Sequence, residues 1–93
     1  MGKYFVDIAD NAKEDMRFWH KVGDESVIEK IKKLLIELSE HPKTGTGKPE
    51  RLKGNLAGCW SRRISGKHRM VYEIDDGTVT VVVLYLRGHY GDS

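Results

Sequence analysis

The chain of 93 residues is short of several things, and each shortage excludes a class of protein. It has one cysteine, Cys59, so no intrachain disulfide can staple it and a reducing compartment is expected. A lone thiol on an apparent strand reads as a small packing residue, because the sequence supplies no base beside it to make a nucleophile. No apolar run approaches the roughly 20 residues that a bilayer-spanning helix requires. The opening Met1-Gly2-Lys3-Tyr4 lacks the apolar stretch and small-residue site of a secretory signal, so a cytoplasmic protein is expected. Repeats and low-complexity tracts are missing too. With 39% hydrophobic and 32% charged residues, disorder is excluded as well. A chain of this length accommodates one modest core and not two, so residues 1–93 are expected to form one domain.

Acid is the scarcest commodity of one particular stretch. Residues 43–69 carry Lys43, Lys48, Arg51, Lys53, Arg62, Arg63, Lys67 and Arg69 against Glu50 alone, or +7, which leaves −5 for the rest of a chain whose net charge is +2. Basic charge gathered in one segment is the footprint of a polyanion site, since each contacted phosphate releases condensed counterions. The plain alternative is a solvated charged surface.

Periodicity places that segment in a fold. "KYFVDI" reads as a first strand. Asn11 and Glu14 have the spacing of a capping box, and Ala12, Met16, Trp19 and Val22 trace one helical face up to Gly23. Val27, Ile28, Ile31, Leu34, Leu35 and Leu38 recur at three and four residues, which predicts a second helix ended by His41-Pro42. "PKTGTGKP" is a turn-rich loop that leads straight into Glu50. Three strand-like runs follow, "CWSRRI", "RMVYEID" and "TVTVVVLYL", separated by "SGKH" and by the turn signal Asp75-Asp76-Gly77. This order predicts an α+β fold with two helices packed on one face of a mainly antiparallel sheet.

Strand parity then assigns faces. Trp60 and Ile64, with Met70, Tyr72 and Ile74, should meet the helices, while Ser61, Arg63, Arg69, Val71 and Glu73 should occupy an open opposite face. That arrangement needs an odd effective length, or a bulge, in the connection through Gly66. It brings Arg63 and Arg69 together, and two neighbouring cations make sense where an anion is to be bound. Arg62 falls on the helix-facing parity, where its stem would cover the helix rim or its head would reach an acid. At the end of the last strand, "LRGHY" adds His89 and Tyr90 after Gly88.

One acid in a basic loop, arginines on a sheet and an imidazole with a phenol are the parts of a metal-independent RNA cleavage site. A base takes the 2′-hydroxyl proton, an acid protonates the leaving 5′-oxygen, and a cation offsets the charge growing on phosphate. A metal site is not expected, because His20, His41, His68 and His89 show no ligand spacing with one another or with Cys59. No cofactor is implied, and "TGTGKPE" lacks the pattern of a nucleotide-binding phosphate loop.

"GKPERLKGNLAGCWSRRISGKHRMVY" followed by a late "HY" resembles the YoeB/Txe family within the RelE-like ribonuclease toxins. The resemblance spans nearly the whole chain through K-P-E-x-L-K, W-S-R-R-I, H-R-x-V-Y and H-Y in order. It implies a microbial-RNase fold and an endoribonuclease that cuts mRNA in the ribosomal A site. It also implies a cognate antitoxin of the YefM/Axe kind, operator DNA bound only through the antitoxin complex, and a homodimer; no membrane is involved. Carried over by position, Glu50 matches the general base, Arg69 the arginine that stabilises the transition state, His89 the general acid and Tyr90 an aromatic that orients the nucleotide. Lys53 and Arg63 match basic positions near the scissile phosphate. Lys48 and Arg62 of the same basic segment complete the candidate RNA-contacting set. Two readings from other classes stay open: a gyrase-targeting toxin on the same scaffold, and a non-catalytic nucleic-acid-binding module.

Overall fold

The first strand, β1 (Phe5–Ile8), runs directly into helix α1 (Asp10–Val22), and α2 (Glu25–Glu40) follows after a two-residue turn. The structure is a computed structural model that describes residues 3–88. Gly23 ends α1 in the left-handed conformation, φ 70°, with its N–H bonded to the carbonyls of Trp19 and His20; this is the backbone state that only glycine enters without steric cost. Asp24 then caps α2 by accepting the Val27 N–H at 3.2 Å, which satisfies one of the orphan donors of the new helix. The capping box expected at Asn11 and Glu14 does not form. Ala9 is still tied to the sheet through its N–H to the Val83 carbonyl, so the helix starts at once at Asp10 and has no side-chain cap. Glu14 pairs with Arg17 instead. Val22, expected on the buried face, lies at the helix end and is 55% exposed.

The remaining strands are β2 (Glu50–Arg51), β3 (Cys59–Arg63), β4 (Arg69–Asp75) and β5 (Thr80–Tyr85), with a single 3₁₀ turn at Gly54–Leu56. They form a five-stranded sheet in the order β1-β5-β4-β3-β2. Every pairing is antiparallel except β1 with β5. The α+β architecture with two helices on one sheet face is therefore as the sequence implies. The two-residue strand β2, which the turn-rich composition before it hides, is an addition.

The face towards the helices carries the main core. Ile28, Ile31, Leu34 and Leu38 of α2 and Ala12 and Trp19 of α1 pack on Met70, Tyr72, Val81 and Val83. Burying a side chain of this size stabilises the fold by about 1.5–3 kcal/mol. In β3 and β4, Trp60 stands opposite Tyr72, Arg62 opposite Met70 and Arg63 opposite Arg69. The five residues between Arg63 and Arg69 are the odd-length connection that parity required. The bulge lies elsewhere, between Val71 and Tyr72 against β5.

The opposite face is not open throughout. Leu52, Cys59 and Val71 form a second, smaller cluster with Leu56, Leu84 and Tyr85 packed on it. The chain between β2 and β3 supplies Leu52 and Leu56 and folds back over the sheet, so Val71 and Ser61, expected to face solvent, are buried. Cys59 lies in this cluster, and burial first, then the nearby Glu73 carboxylate, pushes its thiol above the ordinary value; it is a protonated packing residue. No helix among the described residues is long and apolar enough to cross a membrane.

Candidate active site

The sheet sets out the site as a row. Glu50 of β2 stands opposite Ser61 of β3, Ser61 opposite Val71 of β4, and Val71 opposite Tyr85 of β5. Two residues along, Arg69 stands opposite Arg63. Arg69 reaches across β3 and donates from Nη1 to the Glu50 carboxylate at 3.1 Å. The two partners differ in exposure: the Arg69 side chain is 12% exposed and that of Glu50 59%. A carboxylate open to solvent is thus held by a largely sunken guanidinium, with the exposed Arg63 beside it. The pairing shields part of the repulsion that Arg63 and Arg69 would otherwise exert on each other. An arginine guanidinium is a planar fork whose geometry matches a carboxylate or a phosphate.

The loop before Glu50 is fixed from beneath. Gly47 accepts the Arg63 N–H at 2.7 Å and has φ 88°. Lys48 follows at φ 52°, a left-handed state that costs a residue with a side chain on the order of 1 kcal/mol and persists only where the surroundings impose it. Lys48 and Lys53 are exposed on either side of Glu50 in the chain.

Arg62 corrects the sequence reading. Its side chain is 0% exposed and bonded to Glu37 of α2 at 2.9 Å, so the acid expected on that parity is there. The head is buried, and Arg62 leaves the RNA-contacting set. Burial pushes the Glu37 carboxyl up, but hydrogen bonds from Thr46 and the Arg62 guanidinium together hold it below the usual carboxylate value.

His89 and Tyr90 lie outside the described residues. The residue before them is firmly placed: Gly88 donates its N–H to His68 Nδ1 at 3.0 Å and accepts the Arg69 N–H at 3.0 Å. The His68 ring packs edge-on against Trp19, with centroids 4.8 Å apart, and Trp19 Nε1 donates to the Leu86 carbonyl at 2.9 Å. Chain exit and Arg69 are thereby tied to each other.

Sequence reasoning assigned no face to Tyr85 and expected Ser61 to be open to solvent. The β4–β5 bulge brings both Leu84 and Tyr85 to the Val71 side, and an irregularity of that kind has no signal in an alternating run. Ser61 was placed on the right face, but its buried Oγ, which has no hydrogen-bond partner among the described residues, follows only from the cover supplied by Leu52 and Leu56. Among the described residues no group of three or more His, Cys, Asp or Glu converges to hold a metal ion.

Comparison with known proteins meets this geometry directly. Residues 8–90 match the family described as YoeB-like toxin of bacterial type II toxin-antitoxin system. The chain belongs to this family. Toxin YoeB of Mycobacterium bovis is 42% identical over 85 residues, 91% of this chain and 96% of that one. A YoeB/ParE toxin from Agrobacterium tumefaciens superposes with a TM-score of 0.84 at 37% identity, covering 92% of this chain and 99% of that chain. YoeB from Staphylococcus aureus, solved as a dimer, gives 0.80 at 34% identity over 95% and 99% of the two chains, and it is also known in a YoeB-YefM complex.

Proposed function

We propose that this toxin is a ribosome-dependent endoribonuclease that cuts mRNA in the A site by metal-independent transesterification. The observation that carries the reading is the 3.1 Å contact of Glu50 with Arg69, with Arg63 directly opposite Arg69: a base on the edge strand and a phosphate-binding fork that reaches it from the central strand. Glu50 takes the proton from the 2′-hydroxyl, and the 2′-oxygen attacks the adjacent phosphorus. Arg69, joined by Arg63, stabilises the charge that grows on the phosphoryl oxygens. His89 protonates the departing 5′-oxygen, leaving a 2′,3′-cyclic phosphate and a 5′-hydroxyl. Tyr90 orients the nucleotide, and Lys48 and Lys53 hold flanking phosphates. No metal or cofactor takes part in these steps.

The proposed partners are the ribosome with its mRNA and an acidic antitoxin of the YefM/Axe kind that folds on the basic surface and, with the toxin, represses the operon. A homodimer in a cytoplasmic setting completes the reading. Cleavage is tested by in vitro translation with purified protein and primer extension on the message. Discrete new 5′ ends at the A-site codon are expected from wild type and not from Glu50→Ala or Arg69→Ala. Intact message in every lane would overturn the reading, and trapped gyrase–DNA complexes or RNA binding without cutting would put one of the two other classes in its place.

A further inference from the structure

The buried Arg62 does more than fill space in the core. Its guanidinium has five N–H donors, and five acceptors meet it. Nε donates to the Tyr72 hydroxyl at 3.2 Å, Nη1 to Glu37 Oε1 at 2.9 Å and to the Thr46 carbonyl at 3.2 Å, and Nη2 to the Thr44 carbonyl at 2.7 Å and to the His41 carbonyl. Three of these five acceptors are backbone carbonyls of one loop, residues 41–46. The other two groups bind that loop as well: Tyr72 donates its hydroxyl to the Pro42 carbonyl at 2.7 Å, and Glu37 Oε1 accepts the Thr46 N–H at 2.8 Å. The loop is turn-rich and has no strand or helix of its own, so its backbone polar groups must find partners elsewhere. Arg62 is that partner.

The loop ends in the acid that the site uses. Gly47 rests on the Arg63 backbone, Lys48 takes its left-handed conformation, and Glu50 pairs with Ser61, the residue before Arg62. We propose that Arg62 is a positioning residue for the Glu50 carboxylate: by binding the loop carbonyls from the core side, it fixes the height at which β2 joins the sheet and hence the contact of Glu50 with Arg69. This inference rests on Glu50 being the general base. The pair of adjacent arginines then divides the labour by parity, Arg63 towards the phosphate and Arg62 towards the loop. A lysine cannot replace Arg62, because a point charge with three donors cannot reach acceptors spread around a planar fork.

The test compares Arg62→Lys, Gly47→Ala and Glu50→Ala with wild type, each checked for folding by circular dichroism, in the translation assay run under steady-state conditions. Gly47→Ala disturbs the same docking without touching an ionisable group, since a Cβ there would lie 3.0 Å from the Arg63 carbonyl oxygen and 3.2 Å from Arg62 Cβ. A base displaced by about 1 Å costs roughly 10²-fold in rate. Arg62→Lys and Gly47→Ala should each lower kcat by about 10- to 100-fold with KM within about threefold. They should also speed amide exchange at Arg63, whose N–H is bonded to Gly47. Wild-type kcat in a folded Arg62→Lys or Gly47→Ala protein, beside an inactive Glu50→Ala, would overturn the positioning role and leave the base intact. Full activity in Glu50→Ala would instead overturn the base and this inference with it. A loss confined to KM would reassign Arg62 to substrate binding.

Discussion

At the scale of single residues, what separates Arg62, Arg63 and Arg69 is not their chemistry but the side of the sheet they are on and the cover over it. Arg62 is buried among loop carbonyls, Arg63 is exposed, and Arg69 is sunken but aimed at Glu50. Charge counting treats them as equal; parity separates Arg62 from the other two, and only the cover over each separates Arg63 from Arg69. The proposed role of Arg69 as a phosphate-binding fork implies that it does not tolerate a conservative change. Arg69→Lys keeps the charge beside Glu50 but loses planar, two-pronged contact with a phosphate. Its cleavage rate should fall by about 10²-fold or more, with far-UV circular dichroism unchanged; wild-type rates would remove the guanidinium from the transition state. The candidate base and cation were legible in the sequence because one acid among eight cations stands out. The 3.1 Å contact between them was not, since it depends on a two-residue strand that no propensity announces.

At the scale of elements, the helices were the most legible parts. The α2 stripe from Val27 to Leu38 is buried along its length, apart from a partly covered Leu35, because six apolar residues at helical spacing leave little choice of face. Helix starts were less legible. Asn11 and Glu14 offer a capping pattern that the connection from β1 overrides, whereas Asp24, which does cap α2, stands in a short turn without a box. Asp24→Ala should therefore cost about 1 kcal/mol in chemical denaturation, and Asn11→Ala close to nothing. The exit of the last strand has its own fastener in His68. His68→Phe keeps the ring against Trp19 but removes the Nδ1 that accepts the Gly88 N–H. That leaves a donor without its partner at a cost of about 1 kcal/mol, and amide exchange at Gly88 should accelerate well beyond that at Val83. Equal exchange at Gly88 in variant and wild type would show that the Arg69 bond alone holds the exit.

At the scale of the whole molecule, carboxylates join elements that are far apart in the chain, and this sets how stability responds to pH. Glu37 ties α2 to the loop before β2 through Thr46 and Arg62. Asp76, in the turn between β4 and β5, accepts the Tyr4 hydroxyl at 2.7 Å from the start of β1 and lies 3.6 Å from Lys43 of the loop after α2. The Tyr4 bond, followed by Lys43, holds Asp76 below the usual range, as Thr46 and Arg62 hold Glu37. A carboxyl depressed in the folded state contributes stability above its unfolded value, and loses that contribution as pH falls through the folded value. With ordinary values of 4.5 for Glu37 and 3.8 for Asp76, the loss belongs to the acid side, beginning below about pH 5. The phenols act in the opposite direction. The hydrogen bond to Asp76 raises Tyr4 and burial raises Tyr72 above 10.0, so their contribution is complete below that value and is lost as pH rises beyond it. With the Cys59 thiol raised from 9.0 as well, thermal unfolding should therefore show a plateau between about pH 5 and pH 9 with a fall on each side. Glu37→Gln identifies the acid limb: the amide keeps an acceptor near Thr46 but does not titrate. The variant should have a lower melting temperature than wild type at pH 7 and a shallower decline between pH 5 and pH 3. A decline as steep as that of wild type would assign the acid sensitivity to carboxylates other than the one that joins α2, Arg62 and the loop carrying Glu50.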